Sequence, residues 1–321
     1  MEFYEENTEV AKYNDAEVLD INLSSAGALS APVTLRVTDY TMEDTIKLSS
    51  ATTDNIINLL VEVLQSRVQD DFDVRLLHEN EFEEILFSIY ANFWNSALVD
   101  YPYPYTEEDL ELLSKEDAEN VKSGKTKLKT DIDLTKLDIV TISEEFKEPI
   151  VITLSEKLKI GMRLPRIGDF LLVEEHLKKK YAVQDKKFSD IKFLLENGKD
   201  VESFSNDQLI PYIKYDKERA IDFLAFKQAI LVQFKIEDGV KVPITTFEEK
   251  YHTYKGLPRK LWNTYSKKVE KVKFGVNHDE VEMISPITKK PVIRRCLFQV
   301  LDFIPTDAVS DDSGYDVQFG E

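Results

Sequence analysis

The side chains most able to do chemistry in this 321-residue sequence are one cysteine, four histidines and a Gly-Lys-Thr string. Cys296 sits in Val292-Ile293-Arg294-Arg295-Cys296-Leu297-Phe298, where two guanidinium groups could lower a thiol pKa enough to make a nucleophile. The run around it is apolar, so a buried, inert thiol is the plainer reading, and the sequence names no base for it. His78, His176, His252 and His278 are never paired at helical spacing. In His78-Glu79-Asn80-Glu81-Phe82 a phenylalanine stands where a zinc-binding helix needs its second histidine. Gly124-Lys125-Thr126 ends like a phosphate loop, but the earlier glycine falls on Glu119, whose carboxylate would repel phosphate. No Gly-x-Gly-x-x-Gly run occurs, and Asp71/Asp73 and Asp131/Asp133 lack the glycine and distal glutamate of a calcium loop. No catalytic, metal-binding or cofactor-binding residue is assigned, and no cofactor is expected.

What remains are residues suited to holding a partner. Tyr101-Pro102-Tyr103-Pro104-Tyr105 breaks helix twice and forces an extended path. Its tyrosines, Tyr101, Tyr103 and Tyr105, form a strip that either docks a partner or lies across its own domain. Arg259, Lys260, Lys267 and Lys268 gather in one stretch with Trp262 and Tyr265 between them. That pattern can grip phosphate and stack bases. It also describes a helix with solvated charges outside and aromatics in the core, which is the plainer reading. Arg294 and Arg295 complete the set.

The elements that would position these residues form an α+β pattern: a helical N-terminal unit with a leading strand, then a mixed domain of small β-hairpins and amphipathic helices. Residues 1–31 read as an acidic arm, ordered only where it docks. A mainly helical domain is expected over 32–125, a link over 126–135, a mixed domain over 136–303 and an acidic tail over 304–321. Pro32 opens a strand through Val37, and Thr41 caps a short helix with Glu43 and Asp44 in its first turn. Thr53 or Asp54 caps a helix whose Ile56, Leu59, Leu60, Val63 and Leu64 keep to one stripe; Phe82, Ile85, Leu86, Ile89 and Phe93 mark another. Strands are expected over 137–142, 149–154 and about 159–165. Helices follow at 170–180, from Asp190, and at 217–235, 245–255 and 258–272, before strands at 280–284 and 292–303.

Charge separates the two ends. The net of −19 is carried by residues 1–120, which hold 27 acids against 6 bases, whereas residues 121–321 hold 33 against 35. So acidic a first third argues against a nucleic-acid face there and favours a basic partner surface, or head-to-tail contact between copies. One cysteine excludes an internal disulfide and fits a reducing compartment. The start, Met1-Glu2-Phe3-Tyr4-Glu5-Glu6, reverses the charge order of a signal peptide, and no uncharged apolar run approaches the ~18 residues of a membrane span.

The order of segments resembles a known family. Ala31-Pro32-Val33-Thr34-Leu35-Arg36-Val37-Thr38-Asp39-Tyr40-Thr41-Met42-Glu43-Asp44, then a threonine-initiated helix, then an acidic entry into a helix ending Tyr90-Ala91-Asn92-Phe93-Trp94-Asn95-Ser96, is similar to the baseplate hub and tail-assembly proteins of T-even-type contractile phages. Ile150–Leu154 with Lys159–Asp169 is similar to the part of that family in which a hairpin carries an Arg-Leu-Pro string. Phe274-Gly275-Val276 leads into a hairpin ending at Phe298–Phe303, as in the family. Some relatives carry paired cysteines there as a zinc knuckle; Ser285-Pro286-Ile287-Thr288 stand in their place here, so no zinc is implied. The resemblance implies a non-enzymatic structural component of a contractile tail, in the baseplate or hub region, made in the host cytoplasm and resident in the virion. Its implied partners are other tail or baseplate proteins and further copies of itself, not nucleic acid or membrane. Two other readings stay open. One is an assembly chaperone absent from the mature particle; the other is an enzyme or nucleic-acid binder with its site around Lys255–Lys273, including the basic stretch 258–273, and Arg294–Arg295.

Overall fold

A computed structural model describes residues 17–51, 55–93, 98–196, 198, 200 and 203–296. Several expectations lie outside them: most of the acidic arm, the cap at Thr53 or Asp54, the Trp94–Ser96 helix end, the strand beyond Cys296 and the acidic tail.

The first apolar core grows from the N-terminal half. Strand β1 (Val18–Asn22) pairs antiparallel with β2 (Thr34–Thr38), and alternation sends Ile21, Leu35 and Val37 inward. This stretch of the expected arm therefore docks on the chain's own core. Helix α1 (Met42–Ser49) starts with a capping box: the Thr41 hydroxyl accepts from the Asp44 amide while the Asp44 carboxylate accepts from the Thr41 amide. Helices α2 (Ile56–Arg67) and α3 (Glu79–Phe93) turn their apolar stripes, Leu60 and Leu64 on one and Phe82, Ile85, Leu86 and Ile89 on the other, into this core. Strand β3 (Leu98–Pro102) pairs with β4 (Lys129–Asp133), with α4 (Glu107–Glu111) and α5 (Lys115–Lys122) between them in sequence. Residues 129–133, within the polar stretch expected as a link, are thus a strand, and Ile132 is fully buried.

Late segments return to the same core. From the expected strand over 137–142, only β5 (Ile139–Val140) forms, pairing with β10 (Gly275–Val276). Gly275 is required there: its φ is +93°, and a Cβ would sit 2.9 Å from the Asn80 Cβ. Strands β11 (Val281–Ile284) and β12 (Pro291–Arg294) form the expected hairpin, burying Val281, Met283 and Cys296 in the first core.

The second core lies under an antiparallel sheet in the order β6 (Ile150–Thr153), β7 (Leu158–Met162), β8 (Val232–Glu237), β9 (Val240–Pro243). Gly161 lets the Phe234 ring cross β7, coming within 2.2 Å of where a Cβ would stand. Helices α6 (Ile167–Glu196), α7 (Asn206–Ala229), α8 (Phe247–Lys255) and α9 (Arg259–Val269) cover it, with Val173, Leu177, Phe226, Leu261 and Tyr265 inside.

Two helix readings change. The segments expected at 170–180 and from Asp190 are one 30-residue helix, about 45 Å long, because neither glycine nor proline interrupts the run from Asp169 to Glu196. The helix expected over 217–235 starts at Asn206 and stops at Ala229; the apolar run that follows pairs with β7 as strand β8. The architecture is α+β, as the pattern predicts.

Candidate functional site

Cys296 and three of the four histidines are engaged in packing or local pairing, while His252 and Lys125 of the Gly-Lys-Thr string lie exposed. Burial pushes the Cys296 thiol up to about 11, so it stays protonated at neutral pH. His78 is buried against Phe274, its Nδ1 accepting from the Asn80 amide; burial first, then the Arg166 charge, push it down to about 3. His278 pairs with Glu83 at 3.1 Å, and that hydrogen bond raises its pKa. His176 stacks flat on Phe247. Among the described residues, no group of three His, Cys, Asp or Glu side chains is arranged to hold a metal ion.

The partner-binding candidates separate into three places. In the tyrosine strip, Tyr101 packs half-buried on the first core and Tyr103 is buried, its hydroxyl donating to Asp109 at 3.3 Å, while Tyr105 is exposed. Asp109 also closes the capping box of α4 with Thr106 and takes an ion pair from Arg294 at 3.1 Å. The fold thus brings Tyr103 and Arg294 onto one carboxylate. Burial alone would raise that carboxyl, but the Thr106 amide and the Arg294 guanidinium outweigh it and hold the pKa below the ordinary carboxylate range. Arg295 points outward to Asp279 at 3.3 Å.

On α9 the sequence-named bases face solvent. Arg259, Lys260 and Lys267 are exposed, and Lys268 donates to the Val151 carbonyl at 3.0 Å. The interleaved aromatics face the other way. Tyr265 is buried with its hydroxyl on the Arg163 carbonyl, and Trp262 packs edge-on between Tyr254 and Tyr265. With Tyr265 in the core, the stretch lacks a paired stacking platform for bases.

One dense polar cluster lies outside the candidate site residues named from the sequence. It is the turn Arg163-Leu164-Pro165-Arg166 between β7 and α6. Arg163 clamps Asp169 through both guanidinium nitrogens at 2.6 and 2.5 Å. Arg166, nearly fully buried, pairs with Glu148 and reaches the Ser30 hydroxyl. Glu148 also accepts from the Leu164 amide at 2.6 Å, and Asp169 from the Arg166 amide at 2.8 Å. The Ile167 amide bonds the Leu77 carbonyl, so this turn ties the second sheet to the first core. A surface cleft of about 550 Å³ opens beside it, lined by Arg75, Arg163, Arg166, Asp169 and Lys178 among others. The available signal was an acid three residues after Arg166 at a helix start, the spacing of a capping box.

Two buried glutamates lie on α3, one tying it to the β1 segment and one closing its own first turn. Glu84 accepts from the Ser24 amide at 3.1 Å and its hydroxyl at 2.6 Å, and Glu81 accepts from the His78 amide at 2.7 Å. Burial raises the pKa of both.

A family model described as T4 bacteriophage base plate protein matches residues 20–258, from within β1 to the end of the α8–α9 turn. No curated protein and no solved structure matches the chain. The matched span takes in the tyrosine strip and the Arg163–Asp169 turn; Arg259, Lys260, Lys267, Lys268, Arg294 and Arg295 lie beyond it.

Proposed function

Since the chain belongs to the T4 bacteriophage base plate protein family, we propose that it is a resident, non-enzymatic part of the baseplate or hub region of a contractile tail, holding neighbouring tail or baseplate proteins through its surface. The observation that carries this reading is the extent of the match, which runs through both apolar cores and the polar turn joining them. A part that transmits load between neighbours needs its halves fixed to one another. The Ile167–Leu77 hydrogen bond crosses between the halves, and the Arg163–Asp169 and Arg166–Glu148 pairs hold the turn that carries it, because a buried charge left without its partner is strongly unfavourable. Candidate docking positions are those left facing outward, Tyr105, Arg259, Lys260, Lys267, Lys268 and Arg295. The protein is made in the host cytoplasm and carried in the virion tail. Mass spectrometry of purified particles tests this: a fixed stoichiometric presence is expected, and absence from particles that need the protein for assembly would establish the chaperone reading instead.

A further inference from the structure

Helix α7 carries an apolar stripe left exposed among the described residues. Ile210, Ile213, Ile221 and Leu224 are 64%, 52%, 57% and 59% exposed, and with Lys217 they recur every three or four residues along one face. The opposite face is fully engaged. Tyr215 bonds Asp185, Arg219 bonds Glu174 at 3.2 Å, Phe223 meets Phe170 edge-on, and Phe226 packs on Phe247 of α8. The stripe therefore points away from both α6 and α8.

We infer that this stripe is a self-association surface, on which α7 pairs antiparallel with α7 of a second copy about a twofold axis at Lys217. The spacing carries the choice of occupant. Ile213 and Ile221 stand four residues either side of Lys217, and Ile210 and Leu224 stand seven. Turned about that point, the pattern falls on itself: Ile210 faces the second copy's Leu224, and Ile213 faces its Ile221. Such self-matching is what a closed, isologous dimer requires and what an unrelated helix would not impose.

Charge agrees with the geometry. Lys214 and Glu218 share one flank of the stripe and lie 4.0 Å apart within the chain. In the antiparallel pair, Lys214 of one copy stands about 3 Å along the axis from Glu218 of the other, so each lysine gains a second carboxylate. The two Lys217 side chains meet at the axis with Asp216 and Glu218 of both copies beside them. Their stems extend the apolar strip while the ammonium groups reach those acids. Four large side chains per copy make a contact below the standard interface size, so the dimer is weak alone and strengthens where an assembly holds copies close. This contact adds a like-with-like interface to the proposed neighbours and does not depend on them.

Cysteine cross-linking in the full chain tests it, with the unmodified chain, whose Cys296 is buried, as the blank. Under mild oxidation Lys217→Cys should give a disulfide-linked dimer, since only a residue at the axis faces its own copy. Ile210→Cys alone should stay monomeric, its two copies lying about 21 Å apart along the helices, whereas mixing Ile210→Cys with Leu224→Cys should link. Linkage of Ile210→Cys to itself as readily as Lys217→Cys, or no linkage at 217, overturns the inference. Sedimentation velocity gives a second readout. The unmodified chain should associate with rising concentration, and Ile213→Glu with Ile221→Glu, both at exposed positions, should abolish association while leaving the circular dichroism unchanged. A chain that stays monomeric at every concentration, as expected if another baseplate protein covers the stripe, rejects it. Particle mass spectrometry reads the baseplate role separately, so the two can fail independently.

Discussion

The two cores hold their buried carboxylates by different mixtures of means. Around the first, the two most deeply buried glutamates rest on uncharged groups, Glu84 on Ser24 and Glu81 on the His78 amide, while Asp44 and Asp109 each join a helix cap to an arginine, Arg67 and Arg294. Around the second, buried carboxylates meet guanidinium groups, as in Arg163–Asp169 and Arg166–Glu148, and the outward face of α7 is left apolar. The difference shows how poorly a charge count maps onto a surface field. Some of the acids that make residues 1–120 so negative serve as helix caps and buried anchors, and burial raises the pKa of two of them. On the second region the bases of α9 and the apolar stripe of α7 stay exposed.

The largest expected effect comes from breaking the turn that joins the cores. Arg166→Ala leaves the largely buried Glu148 with only the Leu164 amide and should cost about 3 kcal/mol of stability in urea unfolding. Replacing Arg166 and Glu148 together by leucine and methionine should recover much of the loss. A cost below about 1 kcal/mol for the single change would show that this ion pair adds little to holding the turn.

A smaller, pH-dependent effect sharpens the contrast from the first core. The His78 pKa is pushed down to about 3 in the folded chain, against about 6.5 when unfolded, so its contribution is present above pH 6.5 and is lost as pH falls toward 3. Between pH 7 and 5 that amounts to about 2 kcal/mol. Glu81 and Glu84 act in the opposite sense: their raised pKa values give stability below the unfolded carboxylate pKa, lost as pH rises through the folded values. Comparing the unmodified chain with His78→Asn, which keeps an acceptor for the Asn80 amide, isolates the histidine. Chemical denaturation at the two pH values should show the acid sensitivity reduced by that amount. Smaller again is Thr106→Ala, which removes half of the α4 capping box at the carboxylate that also holds Tyr103 and Arg294. It should cost about 1 kcal/mol in thermal unfolding.

These effects also mark what the sequence could carry. Caps and stripes are local, so Thr41 with Asp44 and the apolar positions of α2, α3 and α9 are readable directly. Pairings across long separations are not. Nothing near Ile230, Leu231 and Phe234 separates a buried helix end from a strand until β7 supplies the ladder. Nothing near Gly275 tells of Asn80. Glu148 could be matched with Arg166 only by knowing that a strand hairpin folds one back over the other. The bases of α9 show the reverse case: their composition fits nucleic-acid binding, and the distinction rests on which way Trp262 and Tyr265 face.

The smallest expected effect on stability is also the sharpest test of the division between the buried turn and an open surface. Lys267 and Lys268 lie on the solvent side of α9, and the one hydrogen bond from Lys268 to the Val151 carbonyl is itself exposed. Reversing both charges to glutamate should change stability by no more than about 0.5 kcal/mol, since exposed groups of this kind contribute little to folding. If this face meets an acidic neighbour, particle assembly with the doubly reversed chain should fall while the isolated protein melts as before, and added salt should weaken the contact in the unmodified chain. Equal assembly by the two chains would remove α9 from the docking surface. A large loss of stability would instead make these lysines part of the frame, so the melting curve and the assembly yield must be read together to decide between them.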